Sequence, residues 1–196
     1  MTAPAINQAN DGVGRRLPTP RVLAAMFFVA GAAVSVAAGV YGRIHDPAGV
    51  QTVTLFFSTT LAFKAWTTTL IAGLALFQLF SAMRLYGKFP FPRRLPAWYG
   101  TLHRLSGTIA FMLTLPVAYH CLWSIGFAPD LADPRRAIHS ALGCLFYGAI
   151  LTKVLSVRSH RLPNWMLPAV GGTVFVTLVG LWLTSSLWFF TTVGAL

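Results

Sequence analysis

The sequence predicts an all-α membrane protein, a helical bundle of five transmembrane helices. Three observations carry that prediction. The chain of 196 residues is 56% hydrophobic and only 10% charged, against about a quarter charged in a soluble domain. Five apolar stretches reach the roughly 20 residues that a helix needs to cross about 30 Å of hydrocarbon. The basic residues gather between those stretches and at their ends, as they do where loops stay on the cytoplasmic side.

Residues 1–21 are polar and broken by Pro and Gly, which predicts a flexible cytoplasmic tail ahead of one transmembrane domain over 22–196. Arg15 and Arg16 lack the wider twin-arginine signal pattern, so the first apolar stretch is expected to remain as a helix. That first span covers about 22–42, and its Gly31, Ser35 and Gly39 recur every fourth residue. Such a stripe of small residues lets another helix of the chain approach closely. Residues 43–64 form an external segment in which His45, between Arg43 and Asp46-Pro47, is expected to be a solvated loop histidine.

The second span covers about 65–86, with Lys64 and Trp66 at one end and Arg84 and Lys88 at the other. Gln78 is its only strongly polar residue at depth and is expected to bond a neighbouring helix. A basic, Pro-rich loop over 87–95 leads to the third span, about 96–126, with Pro96 in its first turn and a kink at Pro116. Asp133-Pro134 is an N-cap followed by a first-turn proline, and it starts the fourth span, 134–158. Asn164 is placed to cap the fifth, about 165–190, which ends in the aromatic Trp188, Phe189 and Phe190.

Charge fixes the orientation. Arg15, Arg16, Arg21, Arg84, Lys88, Arg93, Arg94, Arg104, Lys153, Arg158 and Arg161 fall on one side. Arg43, Lys64, Arg135 and Arg136 fall on the other, with three of the four Asp. The positive-inside rule therefore puts the N-terminus inside and the C-terminus outside. A net charge of +11 arranged in this way describes a membrane topology and no nucleic-acid surface. The chain has no Glu, and no Asp lies in a span, so carboxylate-based ion pumping lacks its groups. Two cysteines, Cys121 and Cys144, form no CxxC or CxxCH motif. Covalent haem attachment is thereby excluded, and both are expected to be small apolar packing residues.

Histidine is the chemistry the chain does carry. The third and fourth spans each open with His-x-x-x-Gly: His103 with Gly107, and His139 with Gly143. His120 lies near the far end of the third span and His160 just beyond the fourth. If these spans are antiparallel neighbours, His120 meets His139 at the outer side, and His103 lies loosely near His160 at the inner side. Two imidazoles on facing helices are what a b-type haem requires. A Gly one turn from the ligand leaves room for the ring, and Arg135, Arg136 and Lys64 are at hand for its propionates. The expected haem ligands are thus His120 and His139 for an outer haem b. His103 and His160 are candidates for a second, inner site. The inner pair is the weaker: His103 and His120 stand 17 positions apart, about 100° in azimuth on an ideal helix.

LHRLSGTIAFMLTLPVAYHCLW resembles the haem-carrying helices of cytochrome b561-type and ferric-reductase-like membrane proteins, across about residues 95–160. The match departs from the ferric-reductase type in the wider spacing of His103 and His120. KAWTTTL, HRLSG, AYHCLW, HSALGC, YGAILTKVL and LPNWMLP also resemble a small actinobacterial family of integral membrane proteins of unknown function, from about residue 50 onward. The resemblances imply a bacterial inner membrane, a haem, and a redox protein or quinone as electron partner. The expected function is a b-type cytochrome-like electron-transfer subunit rather than a stand-alone enzyme. The rival is a cofactor-free membrane anchor or assembly subunit. A solute transporter fits less well, because the chain lacks inverted repeats.

Overall fold

The computed structural model describes residues 18–47, 49, 54–90, 95–127, 133–159 and 161–194. Residues 1–17 of the N-terminal tail, with Arg15 and Arg16, and also His160, Arg93 and Arg94 lie outside the described residues, while Pro20 and Arg21 of the expected tail belong to the first helix. Five helices are long and apolar enough to cross a membrane, and no strand occurs among the described residues. The chain is a multi-pass helical membrane protein in contact with the lipid bilayer.

Helix α1 runs Pro20–Ile44, with Pro20 in the first turn and the Thr19 hydroxyl accepting from the Val22 amide. Helix α2 runs Thr60–Leu85 and starts five residues earlier than the apolar pattern indicates. The Thr59 hydroxyl caps it by accepting from the Ala62 amide at 3.1 Å. Lys64 therefore sits inside the second turn of a helix and not in a loop. Helix α3 runs Tyr99–Tyr119, and Pro96 lies ahead of it, its carbonyl accepting from the Tyr99 amide. Pro116 has no N–H to give the helical ladder, and the chain continues as a π-helical segment, His120–Ile125. Helix α4 runs Pro134–Val157 behind the expected Asp133 cap, whose carboxylate accepts from the Arg136 amide. Helix α5 runs Met166–Trp182, then a second π-helical segment, Leu183–Leu187, then α6, Trp188–Thr192. Asn164 does not cap α5; the capping position is Trp165, which makes no side-chain bond.

The helices form a row, α1 on α4, α4 on α5, α5 on α2 and α2 on α3. The small stripe of α1 lies on α4, as expected: Gly31 faces Gly148 and Thr152, and Gly39 faces Cys144. Thr152 seals this contact by donating to the Phe27 carbonyl at 3.2 Å. Ile71, Phe146 and Leu178 join α2, α4 and α5 at mid-bundle. Trp182 of α5 donates to the Thr69 hydroxyl of α2 at 3.0 Å. Gln78 of α2 donates to the His103 carbonyl at 2.5 Å and to the Ser106 hydroxyl at 2.8 Å, tying α2 to α3.

The expectation that α3 and α4 are close neighbours does not hold. Their backbones barely approach, and the Tyr147 hydroxyl bridges the gap to the Thr114 carbonyl. The row closes at the α1 C-terminus instead. There His45 stacks on Tyr41 at 4.9 Å and meets Trp123 at 4.5 Å. His45 is thus a packed residue that joins α1 to the segment following α3, and not a solvated one.

Candidate functional site

The space between α3 and α4 is a cavity of about 470 Å³. Its walls come from α2, α3, α4 and α5, and are mostly apolar: Ala65, Ile71, Val117, Leu122, Phe146, Leu178 and Leu181 among them. It runs from mid-bundle to the bundle end that carries Lys64, Arg135 and Arg136, all three of which line it. Arg135 is held by three partners. It donates to the Thr184 carbonyl at 2.8 Å, pairs with Asp133 at 3.6 Å, and lies 4.0 Å over the Trp188 ring. Arg136 pairs with the same Asp133 at 3.2 Å. Among the described residues, two of the three cations at the mouth, Arg135 and Arg136, share the Asp133 carboxylate.

His139 lines this cavity. Its Nδ1 lies 2.9 Å from the Thr184 hydroxyl. The same hydroxyl lies 2.7 Å from the Gly180 carbonyl; when it donates there it accepts from His139, and Nδ1 then carries the hydrogen. The lone pair is left on Nε2, the arrangement that prepares an imidazole to act as ligand or base. Cys121, from the first π-helical segment, lines the same cavity as His139 and Lys64. Both π-helical segments thus flank the site, one presenting Cys121 and the other Thr184. Single π-turns inside helices often mark functional sites.

Of the outer pair predicted from the sequence, His139 lines the cavity and His120 does not; His160 of the inner pair lies outside the described residues. His120 is fully buried, outside the cavity wall, with its ring edge-on to Phe63 and Tyr119 and its Nδ1 3.4 Å from the Ser124 hydroxyl. It packs toward α2, while His139 opens toward the cavity. The next residue, Cys121, lines the cavity instead, in a segment whose backbone has left α-helical pitch. At the other end His103 is hydrogen-bonded through Nδ1 to the Ser81 hydroxyl of α2 at 2.6 Å. Gly107 makes room for the Gln78 side chain, whose amide would lie 3.0–3.3 Å from an added Cβ. Gly143 does line the cavity. A haem held between two histidines of α3 and α4 does not fit this geometry. Around His139 the cavity offers a neighbouring glycine, Gly143, apolar walls and the cations Lys64, Arg135 and Arg136.

Sequence reasoning missed Cys121 and Thr184. A histidine and a cysteine stand side by side at 120 and 121, and only the local pitch decides which faces α4. Thr184 is 45 positions from His139, and nothing in its own surroundings marks it as a partner.

Fold and site define a five-helix membrane protein with a cation-rimmed apolar cavity. The chain belongs to a family of unknown function (DUF6529), whose model matches residues 23–196. No curated protein and no solved structure matches it. The match extends over α1 to α6 and shows no relationship to cytochrome b561 or ferric-reductase proteins.

Proposed function

We propose that this chain is a membrane-embedded binding protein for a lipophilic molecule with an acidic head group. One observation carries the proposal: the apolar cavity ends at Lys64, Arg135 and Arg136, of which Arg135 and Arg136 share the Asp133 carboxylate. The tail of such a ligand lies among Ile71, Phe146 and Leu178, and its head lies at the cations. Burial of the tail supplies affinity at roughly 25 cal/mol per Å² of apolar surface. The cations select the head, and a guanidinium presents a fork that fits a carboxylate or phosphate. Charge bias makes this end external, so the ligand enters from the outer leaflet.

The test uses protein in lipid nanodiscs, with decanoate and decanol competing against a fluorescent fatty acid. Decanoate is expected to bind about tenfold tighter than decanol, equivalent to about 1.4 kcal/mol. Replacing Lys64, Arg135 and Arg136 together by Gln is expected to erase the preference. Equal affinity for acid and alcohol in the native protein would reject the proposal.

A second reading is favoured by one observation, the contact of His139 Nδ1 with Thr184, which leaves the lone pair on Nε2 when Nδ1 donates. Haem b is itself an apolar body with two carboxylates. In this reading His139 is its sole histidine ligand, Gly143 gives it room, and Arg135, Arg136 and Lys64 face its propionates. The chain is then an electron-transfer subunit served by a redox protein or a quinone. When bound, haem would supply one-electron chemistry, and the protein would set its ligation and burial. A reduced-minus-oxidised spectrum without a b-type band after haem-replete expression would remove this reading and leave the first intact.

A further inference from the structure

The charge at the cavity mouth specifies a head group more closely than an acid. Lys64 comes from α2, and Arg135 and Arg136 come from the first turn of α4. All three line the cavity. Asp133 pairs with Arg135 at 3.6 Å and with Arg136 at 3.2 Å. Arg43 and Asp46, at the same end of the bundle, do not line the cavity. Set against the one carboxylate of Asp133, the three cations leave a surplus of two positive charges. A carboxylate ligand would match only one of them.

We propose that the ligand is a long-chain phosphate monoester whose dianionic head is held by Lys64, Arg135 and Arg136 together. The site is the one proposed above for a lipophilic acid, and the phosphate class rests on that reading. A phosphate monoester carries about 1.5 to 2 negative charges at pH 7 and presents three strong acceptor oxygens. A carboxylate has one charge and two oxygens. A phosphodiester, the form of most membrane phospholipids, also has one charge, so charge separates the ligand from the lipid around it. Inorganic phosphate would leave the walls at Ile71, Phe146 and Leu178 uncovered, and burial of a chain there adds affinity.

The three cations do not contribute alike. Arg135 is fixed before a ligand arrives: it donates to the Thr184 carbonyl at 2.8 Å, lies 4.0 Å over the Trp188 ring, and its side chain is 29% exposed. A planar fork held in this way loses little freedom on binding. The Arg136 side chain is 63% exposed, so salt screens it more. Lys64 is half-buried and brings its charge from a second helix. Its replacement removes one cation while the Asp133 pairs stay in place.

The experiment uses the full chain in nanodiscs of phosphatidylcholine, at low ionic strength and about pH 8, above the second phosphate pKa of about 6. Decyl phosphate, decyl methyl phosphate, decanoate, decanol and inorganic phosphate each compete against the fluorescent fatty acid. Decyl phosphate is expected to bind about tenfold tighter than decanoate. Decyl methyl phosphate, which keeps the head group's shape with one charge, should bind about as tightly as decanoate. Lys64→Gln should erase the advantage of decyl phosphate over decanoate and keep that of decanoate over decanol, which a misfolded variant would not do. Asp133→Asn, which keeps the α4 cap without the charge, should tighten decyl phosphate severalfold. Equal binding of decyl phosphate and decanoate, both tighter than decanol, would overturn the phosphate class and leave the acid-binding site intact. Inorganic phosphate competing as well as decyl phosphate would overturn the lipid source. Equal binding of decanol and both acids would reject the site itself.

Discussion

Gly31→Ala tests the packing that holds the bundle together. A Cβ built on Gly31 would stand 2.6 Å from the Gly148 carbonyl oxygen and would strike the Thr152 hydroxyl. Ordinary contact begins near 3.4 Å, so the oxygen is too close by about 0.8 Å. The obstacle is backbone on a facing helix and cannot rotate aside, so α1 must move away from α4. Overpacking of this kind destabilises by about 1–3 kcal/mol. Displacement would also break the Thr152 bond to the Phe27 carbonyl, a further ~0.6 kcal/mol for a typical hydrogen bond between membrane helices. The assay is thermal unfolding in mild detergent, followed by alkylation of Cys144, which faces α1 across the same seam. The variant should unfold several degrees lower and expose Cys144 to faster alkylation. Gly148→Ala should behave similarly, and the double variant should fall short of the sum, because a separated pair no longer collides. Gly73→Ala is the control, since nothing lies within 4 Å of its added Cβ. A native-like midpoint for Gly31→Ala would refute the α1–α4 contact.

Other outcomes follow from single contacts. Gln78→Leu removes the ties to His103 and Ser106 and should lower stability by about 1 kcal/mol, read from the unfolding midpoint; an unchanged midpoint would count against the α2–α3 register. His45→Ala breaks the stack on Tyr41 and Trp123 at a cost of about 0.5–1.5 kcal/mol, and decanoate affinity should not change. Arg135→Ala loses the Thr184 carbonyl and the Trp188 face together, and should weaken decanoate severalfold while sparing decanol. If a haem spectrum is found, His139→Ala should abolish it, while His120→Phe should leave it, because His120 does not line the cavity.

The five spans were legible because hydropathy and positive charge report the bilayer directly. Thr59 illustrates what pattern reading passes over: a capping hydroxyl drew Lys64 into α2, although a charge there reads as a boundary. The helix ring was less accessible. Sequential helices with a short loop suggest direct contact, yet Tyr147 and the cavity hold α3 and α4 apart. His139, Gly143, Lys64, Arg135 and Arg136, grouped from the sequence as haem-binding candidates, line one cavity. His120 was placed beside them by its depth in the membrane, but after Pro116 and within the π-helical segment it is Cys121 that lines the cavity. A phase calculated on an ideal helix cannot carry through such a segment, and one residue of phase exchanges an imidazole for a thiol.

The occupancy of the cavity is tested most directly by a decanoic acid bearing a terminal diazirine. Irradiated in nanodiscs, it should label peptides of α2 around Ile71 and of α4 around Phe146, and excess decanoate should suppress the labelling. Labelling confined to the lipid-facing side of α1, at Val29 and Val36, and insensitive to decanoate, would contradict the account.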